Sequence, residues 1–376
     1  MDKDRVTREQ ALTMLRESPL LDLMERAHQI RMKIHPKSEV TFVVDTNPNY
    51  TNVCVTDCTF CSFFRKVDSS DSYVHSPQEI AIRVAKAHSA GATTVLLQGG
   101  HHPSITWTYL ERVILEIQRT VPKIHIHPFS APEISHVASN SNMTVDDVLA
   151  ALWATGVRTI PGGGAEILVD RVRRRISPKK LSASGWLGCM RKAHKIGFRT
   201  TATMTYGHVE ADEDIVDHLI ALRDLQDETG GFYAFIPWSF KRGTAPLAKL
   251  VKSPSTAIFY VRVIALSRIV LDNFSHVQAS WFAEGTRAGQ LALIAGADDF
   301  GGALLEENVL REASHTFAAD VDSIVAMIQQ AGFQAIQRDT HYRALRAFQL
   351  TDPSVADTIR PGFLHERTPF FPINRI

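Results

Sequence analysis

The feature that most constrains this chain is a group of three cysteines on one short segment, Cys54, Cys58 and Cys61. Their spacing is C-x3-C-x2-C, and the other cysteine of the chain, Cys189, falls far along the sequence in an apparent helix. Three thiolates this close can bind three irons of a cubane iron–sulfur cluster and leave the fourth iron without a protein ligand. Such an open position separates a reactive metal centre from a structural one. The sequence therefore predicts a [4Fe-4S] cluster on these cysteines, with one iron that a small molecule can occupy.

Two other interpretations of the cysteines are weaker. A structural zinc site usually has four ligands, and no second cysteine pair follows. Four cysteines in 376 residues are not a disulfide framework, and the chain opens Met-Asp-Lys-Asp-Arg without an apolar signal region. We therefore expect a cytoplasmic protein in a reducing compartment. A binding protein stabilised by zinc remains the alternative that is not an enzyme.

Charge and hydropathy argue against two classes of partner. The chain has 41 basic and 40 acidic residues, a formal charge of +1, whereas an electrostatic nucleic-acid binder would have a basic surplus. No apolar run approaches the length needed to span a bilayer. We therefore expect neither nucleic acid binding nor membrane insertion.

Short β-branched runs alternate with longer amphipathic segments along most of the chain. Apolar positions in the longer segments recur at three and four residues, as in helices that face a core. About eight such β–α units predict an α/β protein with a (β/α)8-like parallel barrel. The predicted strands are 41–45, 93–98, 123–128, 157–161, 198–205, 232–238, 276–281 and 298–301. The predicted helices are 77–90, 108–120, 145–154, 184–196, 212–228 and 255–274.

The two ends of the chain differ from this repeating pattern. Residues 1–40 are predicted to be an N-terminal helical segment outside the barrel, with a helical pattern over 8–32. The barrel is expected at 41–317, followed at 318–350 by a helix at 320–330 and a short strand at 333–338 that pack on it. Residues 351–376 are Pro-rich and are predicted to be an irregular tail.

Glycines and polar side chains follow several predicted strands, where the active-site loops of a parallel barrel gather. Gln98-Gly99-Gly100 ends the second strand, and two glycines let a backbone approach a ligand closely because no Cβ intervenes. His101 and His102 come next. Each is either a solvated loop histidine or a group that binds substrate and relays a proton, because histidine titrates near neutral pH.

Two carboxylates follow the third and fourth strands. Glu133, with Ser130 before it, could point into the cavity, or it could cap the next helix. Glu166 follows the run Gly162-Gly163-Gly164, whose amides can line a polar ligand. Its carboxylate suits an ammonium group or a ribose diol, and helix capping near Asp170 is the alternative.

The later strands end in hydroxyl, imidazole and aromatic side chains. Inward alternation along the fifth strand makes Thr203 a candidate for lining the cavity. Tyr206 or His208 could donate a proton, or each could be only a structural hydrogen-bonding group. Trp281 would suit a flat aromatic substrate, although a tryptophan at a strand end is more often part of the core.

With these residues assembled, the chain resembles the menaquinone and deazaflavin branch of the radical S-adenosylmethionine (SAM) enzymes, and within that branch most of all the futalosine cyclases. The cysteine spacing fits this family, and so does Phe60, the aromatic residue just before the third cysteine. The resemblance covers residues 43–344. The matching stretches are 49–54, 97–100, 160–173, 175–180, 200–208, 236–238, 278–281, 289–293 and 306–308.

The resemblance implies a radical SAM barrel with one [4Fe-4S] cluster on Cys54, Cys58 and Cys61 and with SAM bound at the open iron. Related barrels place an arginine on the helix after the fourth strand to bind the SAM carboxylate. Here that position is near Trp186, so the partner of this carboxylate is left open. The residues expected around the cofactor are Phe60, Gln98, Gly99, Gly100, Ser130, Glu166 and Thr203.

The resemblance also implies a reaction. An electron donor such as flavodoxin or ferredoxin reduces the cluster, SAM is cleaved, and the 5′-deoxyadenosyl radical takes hydrogen from C4′ of a nucleoside ribose. The resulting radical adds to a benzoate ring joined to that nucleoside, and loss of an electron and a proton yields a spirocyclic product. Aminofutalosine synthase and deazaflavin-precursor synthase are the alternatives. The expected bases are Glu133, His101, His102 and His208, and the expected substrate contacts are Arg65, Tyr206, Trp281 and Arg287.

Overall fold

The computed structural model describes residues 5–306, 308–313 and 319–349. The tail predicted at 351–376 and the predicted boundary at residue 317 lie outside these residues. The strands are β1 (Glu39–Thr46), β2 (Thr94–Leu97), β3 (His125–Pro128), β4 (Thr159–Ile160), β5 (Arg199–Tyr206), β6 (Phe232–Ser239), β7 (His276–Val277), β8 (Asp299–Leu304), β9 (Gln334–Arg338) and β10 (Ala344–Ala347).

The helices lie mostly between these strands. They are α1 (Arg8–Arg16), α2 (Leu20–Ile34), α3 (Pro77–Ser89), α4 (Trp107–Thr120), α5 (Ala131–Asn140), α6 (Val145–Ala154), α7 (Asp170–Ile176), α8 (Ala183–Ile196), α9 (Asp212–Thr229), α10 (Ala257–Val270), α11 (Trp281–Glu284), α12 (Thr286–Ile294), α13 (Val309–Glu312) and α14 (Val321–Gln330). No helix in the described ranges is both long enough and apolar enough to cross a membrane.

Strands β1 to β8 run parallel in two curved sheets. β1 pairs with β2 on one side and with β8 on the other, and β2 continues to β3. The second sheet has the order β4-β5-β6-β7. Gln278 forms a parallel bridge with Asp299 between β7 and β8. Thr159 Oγ1 of β4 forms hydrogen bonds with the rings of His125 and His127 of β3, both at 2.8 Å. This is the predicted α/β barrel.

Helices cover the barrel because each carries one apolar face. In α4, for example, Leu110, Val113, Ile114 and Ile117 are buried and recur at three and four residues. Helices α1 and α2 pack on the outside of the barrel, against α9 and α10. The helical pattern predicted over 8–32 is interrupted by Pro19 at the N-cap of α2, because proline lacks the amide hydrogen that a continuous helix needs.

The structure differs from the predicted strands at two places. The strand predicted at 276–281 ends at Val277, and Trp281 begins helix α11. The chain turns between them because Ser280 is held by two hydrogen bonds, from its amide to Tyr260 Oη at 2.7 Å and from its hydroxyl to Pro237 O at 2.9 Å. The short strand β10 was not predicted, because its four residues are exposed and have no apolar alternation.

A buried ion pair joins the C-terminal strand β9 to the barrel. Arg338 binds both oxygens of Asp299 at 2.5 and 3.0 Å, and Thr41 of β1 donates to the same carboxylate at 2.6 Å. Both charged residues are buried. Removing one partner of such a pair leaves an uncompensated charge in the interior.

We expect Arg338→Met to lower the free energy of unfolding by about 3–5 kcal/mol, because it leaves the Asp299 carboxylate buried without its cation. Arg343→Met is the matched control: its side chain is 75% exposed and its ion pair with Asp339 lies at the surface, so the cost should stay below about 1 kcal/mol. Denaturant unfolding of the two variants tests this. Equal losses would mean that β9 does not depend on the buried pair.

Candidate active site

The three clustered cysteines lie on one loop between β1 and α3. The loop is closed at its base by backbone hydrogen bonds between Cys54 N and Arg65 O at 3.0 Å and between Arg65 N and Asn52 O at 2.8 Å. Cys61 N donates to Cys58 O at 3.1 Å, which makes a tight turn between these two residues. The sequence segment therefore folds back on itself and brings three thiols onto one small loop, which we call the cluster loop (residues 54–61).

Burial favours the neutral form of two of these thiols, those of Cys58 and Cys61. Cys58 is 4% exposed, and burial raises its pKa to about 11. Burial also raises the pKa of Cys61. Iron binding would replace these protons, because only the thiolate is a metal ligand. Three thiols on one loop are the donor set that a [4Fe-4S] cluster with one open iron requires.

The fourth cysteine is elsewhere in the structure. Cys189 lies on α8, where it is buried within the hydrophobic core. Burial raises its pKa to about 12. It therefore has the environment of a small apolar side chain, on the helix that the sequence predicts there.

The two glycines after β2 pack against residues 50–53, the segment that leads into the cluster loop. A Cβ at Gly99 would lie 2.6 Å from the Tyr50 ring, and a Cβ at Gly100 would lie 2.2 Å from Val53 O. Gly100 N also donates to Thr51 O at 2.9 Å. Glycine is thus needed at both positions for this packing alone. The packing requirement holds with or without a ligand near the backbone. A Cβ at Gly163, on the β4 loop, would meet Gln98 Nε2 at 2.7 Å.

Glu133 is fully occupied by protein donors. Its Oε1 accepts from Tyr50 Oη and Gly99 N, both at 2.9 Å. Its Oε2 accepts from Ser130 N at 2.7 Å and from Ser130 Oγ at 2.6 Å. Ser130 and Glu133 are the N-cap and N3 residues of a capping box on α5. The geometry gives Glu133 the capping role and a role in holding Gly99, and gives it no free oxygen for proton transfer.

Three neighbouring side chains hold the glycine-rich loop after β4 by hydrogen bonds to its carbonyl oxygens. Thr203 Oγ1 donates to Gly162 O at 2.7 Å. Trp186 is buried, and its Nε1 donates to Gly163 O at 3.2 Å. Arg173 donates to Gly164 O at 3.1 Å. Trp186 therefore holds this loop from α8, near the position at which the sequence resemblance predicts an arginine.

Glu166, at the end of this loop, has one oxygen without a hydrogen-bond partner. The residue is buried and adopts a left-handed backbone conformation, with φ at 41°. Its Oε1 accepts from Lys180 Nζ at 2.9 Å. Its Oε2 accepts no hydrogen bond from the described residues, and Arg173 Nη1 lies 3.8 Å from it. A buried carboxylate oxygen in this state suits a ligand donor such as a ribose hydroxyl or an ammonium group.

Lys180, which the sequence interpretation did not single out, lies at the centre of the site. Its side chain is 15% exposed and pairs with Glu166. Its Nζ lies 5.3 Å from the centroid of the Phe60 ring. Burial alone would lower the pKa of Lys180, but the charges of Cys58 and Glu166 raise it above its ordinary value. The ammonium group is therefore a permanent cation beside the cluster loop.

The three histidines proposed as bases have different environments. His101 is buried and stacks on His136 with ring centroids 4.9 Å apart. Burial, together with the Lys180 charge, lowers the pKa of His101 well below its ordinary value. His102 Nδ1 accepts from Ser104 N at 3.1 Å.

The ring of His208 is buried and both of its nitrogens are engaged. Its Nδ1 lies 2.8 Å from Glu210 Oε2 and 2.7 Å from Val209 N, and its Nε2 lies 3.0 Å from Thr205 O. Of the three rings, that of His101 makes no hydrogen bond with the described residues. Both ring nitrogens of His101 and the Nε2 of His102 are therefore free of hydrogen bonds to the described residues.

The four side chains predicted to contact substrate form no hydrogen bond or ring contact with one another in the described structure, and each has different neighbours. Arg65 binds Asp71 at 2.5 Å, Glu312 at 2.7 Å and three carbonyls of its own loop, so its guanidinium braces the loop base. Arg287 is exposed at the start of α12. Trp281 is 2% exposed and stacks on Phe300. Tyr206 is buried, and burial with the nearby Glu284 charge raises its pKa.

Comparison with known proteins agrees with this geometry. Residues 48–222 match the family described as the radical SAM superfamily, and residues 229–350 match the CofH/MqnC C-terminal region. The 5-amino-6-(D-ribitylamino)uracil–L-tyrosine 4-hydroxyphenyl transferase of Methanopyrus kandleri is 40% identical over 87% of this chain and 89% of its own length. The cyclic dehypoxanthine futalosine synthase of Halalkalibacterium halodurans is 35% identical over 95% of this chain and 96% of its own.

A solved structure confirms the fold. Methylornithine synthase superposes with a TM-score of 0.69, at 17% identity, over 88% of this chain and 94% of that one. The fold and the three-thiol loop define a radical SAM enzyme, which uses a [4Fe-4S] cluster and SAM. The chain belongs to the family of radical SAM enzymes that carry a CofH/MqnC C-terminal region.

We expect Cys58→Ala to abolish cluster binding and SAM cleavage, because two thiolates cannot hold the cluster that three hold. Cys189→Ala should keep both, because this residue lies in the core. The measurement is the iron and sulfide content and the visible absorbance of the anaerobically reconstituted proteins. Loss of the absorbance in Cys189→Ala but not in Cys58→Ala would show that the ligands are assigned wrongly.

We expect Lys180→Met to weaken SAM binding by roughly 1.5–3 kcal/mol, about ten- to a hundredfold, because a charge-assisted partner is lost. Lys179→Met is the control, since Lys179 is exposed and pairs with Asp57, and its affinity should change less than twofold. Lys180→Arg should retain part of the affinity. Calorimetry of SAM binding to the reconstituted proteins tests this. Equal affinities for Lys180→Met and the native protein would limit Lys180 to pairing with Glu166.

Proposed function

We propose that this enzyme converts dehypoxanthine futalosine into its cyclic product, a step of menaquinone biosynthesis. The observation that carries the proposal is the alignment with the cyclase of Halalkalibacterium halodurans, which is nearly end to end for both chains. A second cyclase, from Streptomyces coelicolor, is 37% identical over 91% of this chain and 86% of its own length. The stretches of the sequence that resemble the cyclases include the late segments 278–281 and 289–293, which fit the alternative aminofutalosine synthase less well.

The residues around the cluster loop suit the two cofactors. Cys54, Cys58 and Cys61 would bind the cluster, and Lys180 is the cation that would pair with the SAM carboxylate in place of the usual arginine. The orphaned Oε2 of Glu166 would accept from the amino group or the ribose of SAM. When bound, the reduced cluster and SAM supply the 5′-deoxyadenosyl radical that abstracts hydrogen.

The chain's own residues then have to hold the substrate, exclude water and accept one proton. Holding the substrate keeps the two reacting carbons within reach of each other. For the proton, we propose His101. It is buried near Lys180, and its ring makes no hydrogen bond with the described residues, so no protein group competes for its nitrogens. Glu133 and His208 are already bound to protein donors and acceptors.

A second function has an observation in its favour. The Methanopyrus kandleri relative, at 40% identity, is named for the transfer of the hydroxyphenyl group of tyrosine to a ribitylaminouracil. A chain of that type would take tyrosine and the uracil as substrates. The two reactions share the cofactors and differ in the molecules that the mouth of the barrel must accept.

The test is a reaction of the reduced enzyme with SAM and dehypoxanthine futalosine that carries deuterium at C4′. We expect 5′-deoxyadenosine that contains the deuterium, and a product lighter than the protiated substrate by two hydrogens, because C4′ is the proposed site of abstraction. Mass spectrometry measures both. Turnover that leaves 5′-deoxyadenosine without deuterium would exclude this site of abstraction.

The control is a parallel reaction with tyrosine and 5-amino-6-(D-ribitylamino)uracil under the same conditions. We expect no coupled product from this pair. Coupling of these two substrates, with no turnover of dehypoxanthine futalosine, would replace the cyclase proposal with the transferase. Both outcomes leave the assignment to the radical SAM enzymes unchanged.

A further inference from the structure

The segment that joins α7 to α8 lies directly against the cluster loop. Thr59 of the cluster loop donates to Ile176 O from its amide at 2.9 Å and from its hydroxyl at 3.1 Å. Lys179 Nζ donates to Asp57 Oδ2 at 2.8 Å. The end of α7 and the edge of the cluster loop therefore form one continuous surface.

This surface is exposed and basic. Val55 and Asp57, which flank cluster cysteines, are exposed. Helix α7, whose C-terminal end contacts the cluster loop through Ile176, carries three exposed arginines, Arg171, Arg174 and Arg175, which we call the basic rim. The carboxylate of Asp57 is paired with Lys179, so it does not offset the charge of the rim.

Two of the three rim arginines have no partner of their own in the described structure. Arg171 pairs with Asp214 of α9, whereas Arg174 and Arg175 make no ion pair or hydrogen bond with any described residue. The whole chain has a formal charge of only +1, so the rim is a local concentration of charge and not part of a generally basic protein. Unpaired arginines on one surface attract an oppositely charged partner and speed its encounter.

The chemistry requires that an electron reach the cluster from outside. The cysteines are buried or half-buried, and Val55 and Asp57 are the exposed residues of the cluster loop, which a large donor can touch. Electron-transfer complexes have small interfaces and depend on charge for orientation. A donor with an acidic surface would be held by the rim with its redox group facing this edge.

We propose that the basic rim, with the exposed edge of the cluster loop, is the docking surface for an acidic protein that carries single electrons. The donor is oxidised by one electron and the cluster is reduced by one, with no atom transferred. This inference rests on the radical SAM chemistry of the proposed function but not on its substrate. Cluster reduction can be measured without any substrate, so failure of one proposal is distinguishable from failure of the other.

The test compares Arg174→Glu/Arg175→Glu with the native holoenzyme, using reduced flavodoxin as donor in the presence of SAM. We expect the second-order rate of cluster reduction, followed by absorbance at low salt, to fall by about tenfold or more because attraction becomes repulsion. The dissociation constant for oxidised flavodoxin should rise in parallel. Salt near 1 M should slow the native reaction and remove most of the difference, since the screening length is then about 3 Å.

Two controls separate docking from damage to the site. Reduced methyl viologen, a small cationic donor, should reduce the double variant at least as fast as the native enzyme. Lys195→Glu, an exposed residue in the last turn of α8 and next to the start of β5, should change the flavodoxin rate less than twofold because it lies at the opposite end of the barrel.

Three results would overturn the proposal. The first is that flavodoxin reduces the cluster of the double variant as fast as that of the native enzyme. The second is an equal loss with flavodoxin and methyl viologen, which would assign the effect to the cluster loop itself. The third is an equal loss in Lys195→Glu, which would assign it to overall charge.

Discussion

The buried ion pair between Glu166 and Lys180 is the interaction on which the rest of the site depends. Its two residues come from the loop after β4 and from the segment before α8, and it lies beside the cluster loop. Two charges removed from water are stable only with good geometry and further partners. Lys180 also faces the Phe60 ring, whereas one oxygen of Glu166 has no hydrogen-bond partner among the described residues. The pair is thus incomplete in the protein alone, which fits a site built to receive a polar cofactor.

The loops around this pair are held by backbone contacts that leave little freedom. Gly99 and Gly100 pack against the segment that leads into the cluster loop, residues 50–53, without room for a Cβ. Glu133 ties Gly99 to Tyr50 and to the start of α5 through four hydrogen bonds. Arg173 and Trp186 hold the carbonyls of the glycine-rich loop. A radical enzyme needs this rigidity, because a misplaced carbon radical would react elsewhere.

Local patterns were enough to predict the barrel, the cluster loop and the capping alternative for Glu133. The period of the apolar residues and the cysteine spacing are properties of adjacent residues, and Ser130 with Glu133 has the spacing of a capping box. Lys180 could not be found this way. It lies in a run of basic residues, a pattern that usually indicates an exposed surface. Its contacts with Glu166 and Cys58 depend on the tertiary fold, which the local sequence does not show. Trp281 was misplaced on a strand for the same reason, since a hydroxyl from α10 ends that strand early.

The central claim is that three cysteines hold the cluster and leave one iron for SAM. The most direct measurement is electron–nuclear double resonance on the reduced, reconstituted enzyme with SAM labelled by 15N in the amino group and 17O in the carboxylate. Our account predicts that both labels couple to the cluster, as direct ligands of one iron. Absence of coupling from both labels, in a sample that contains four irons and bound SAM, would contradict it.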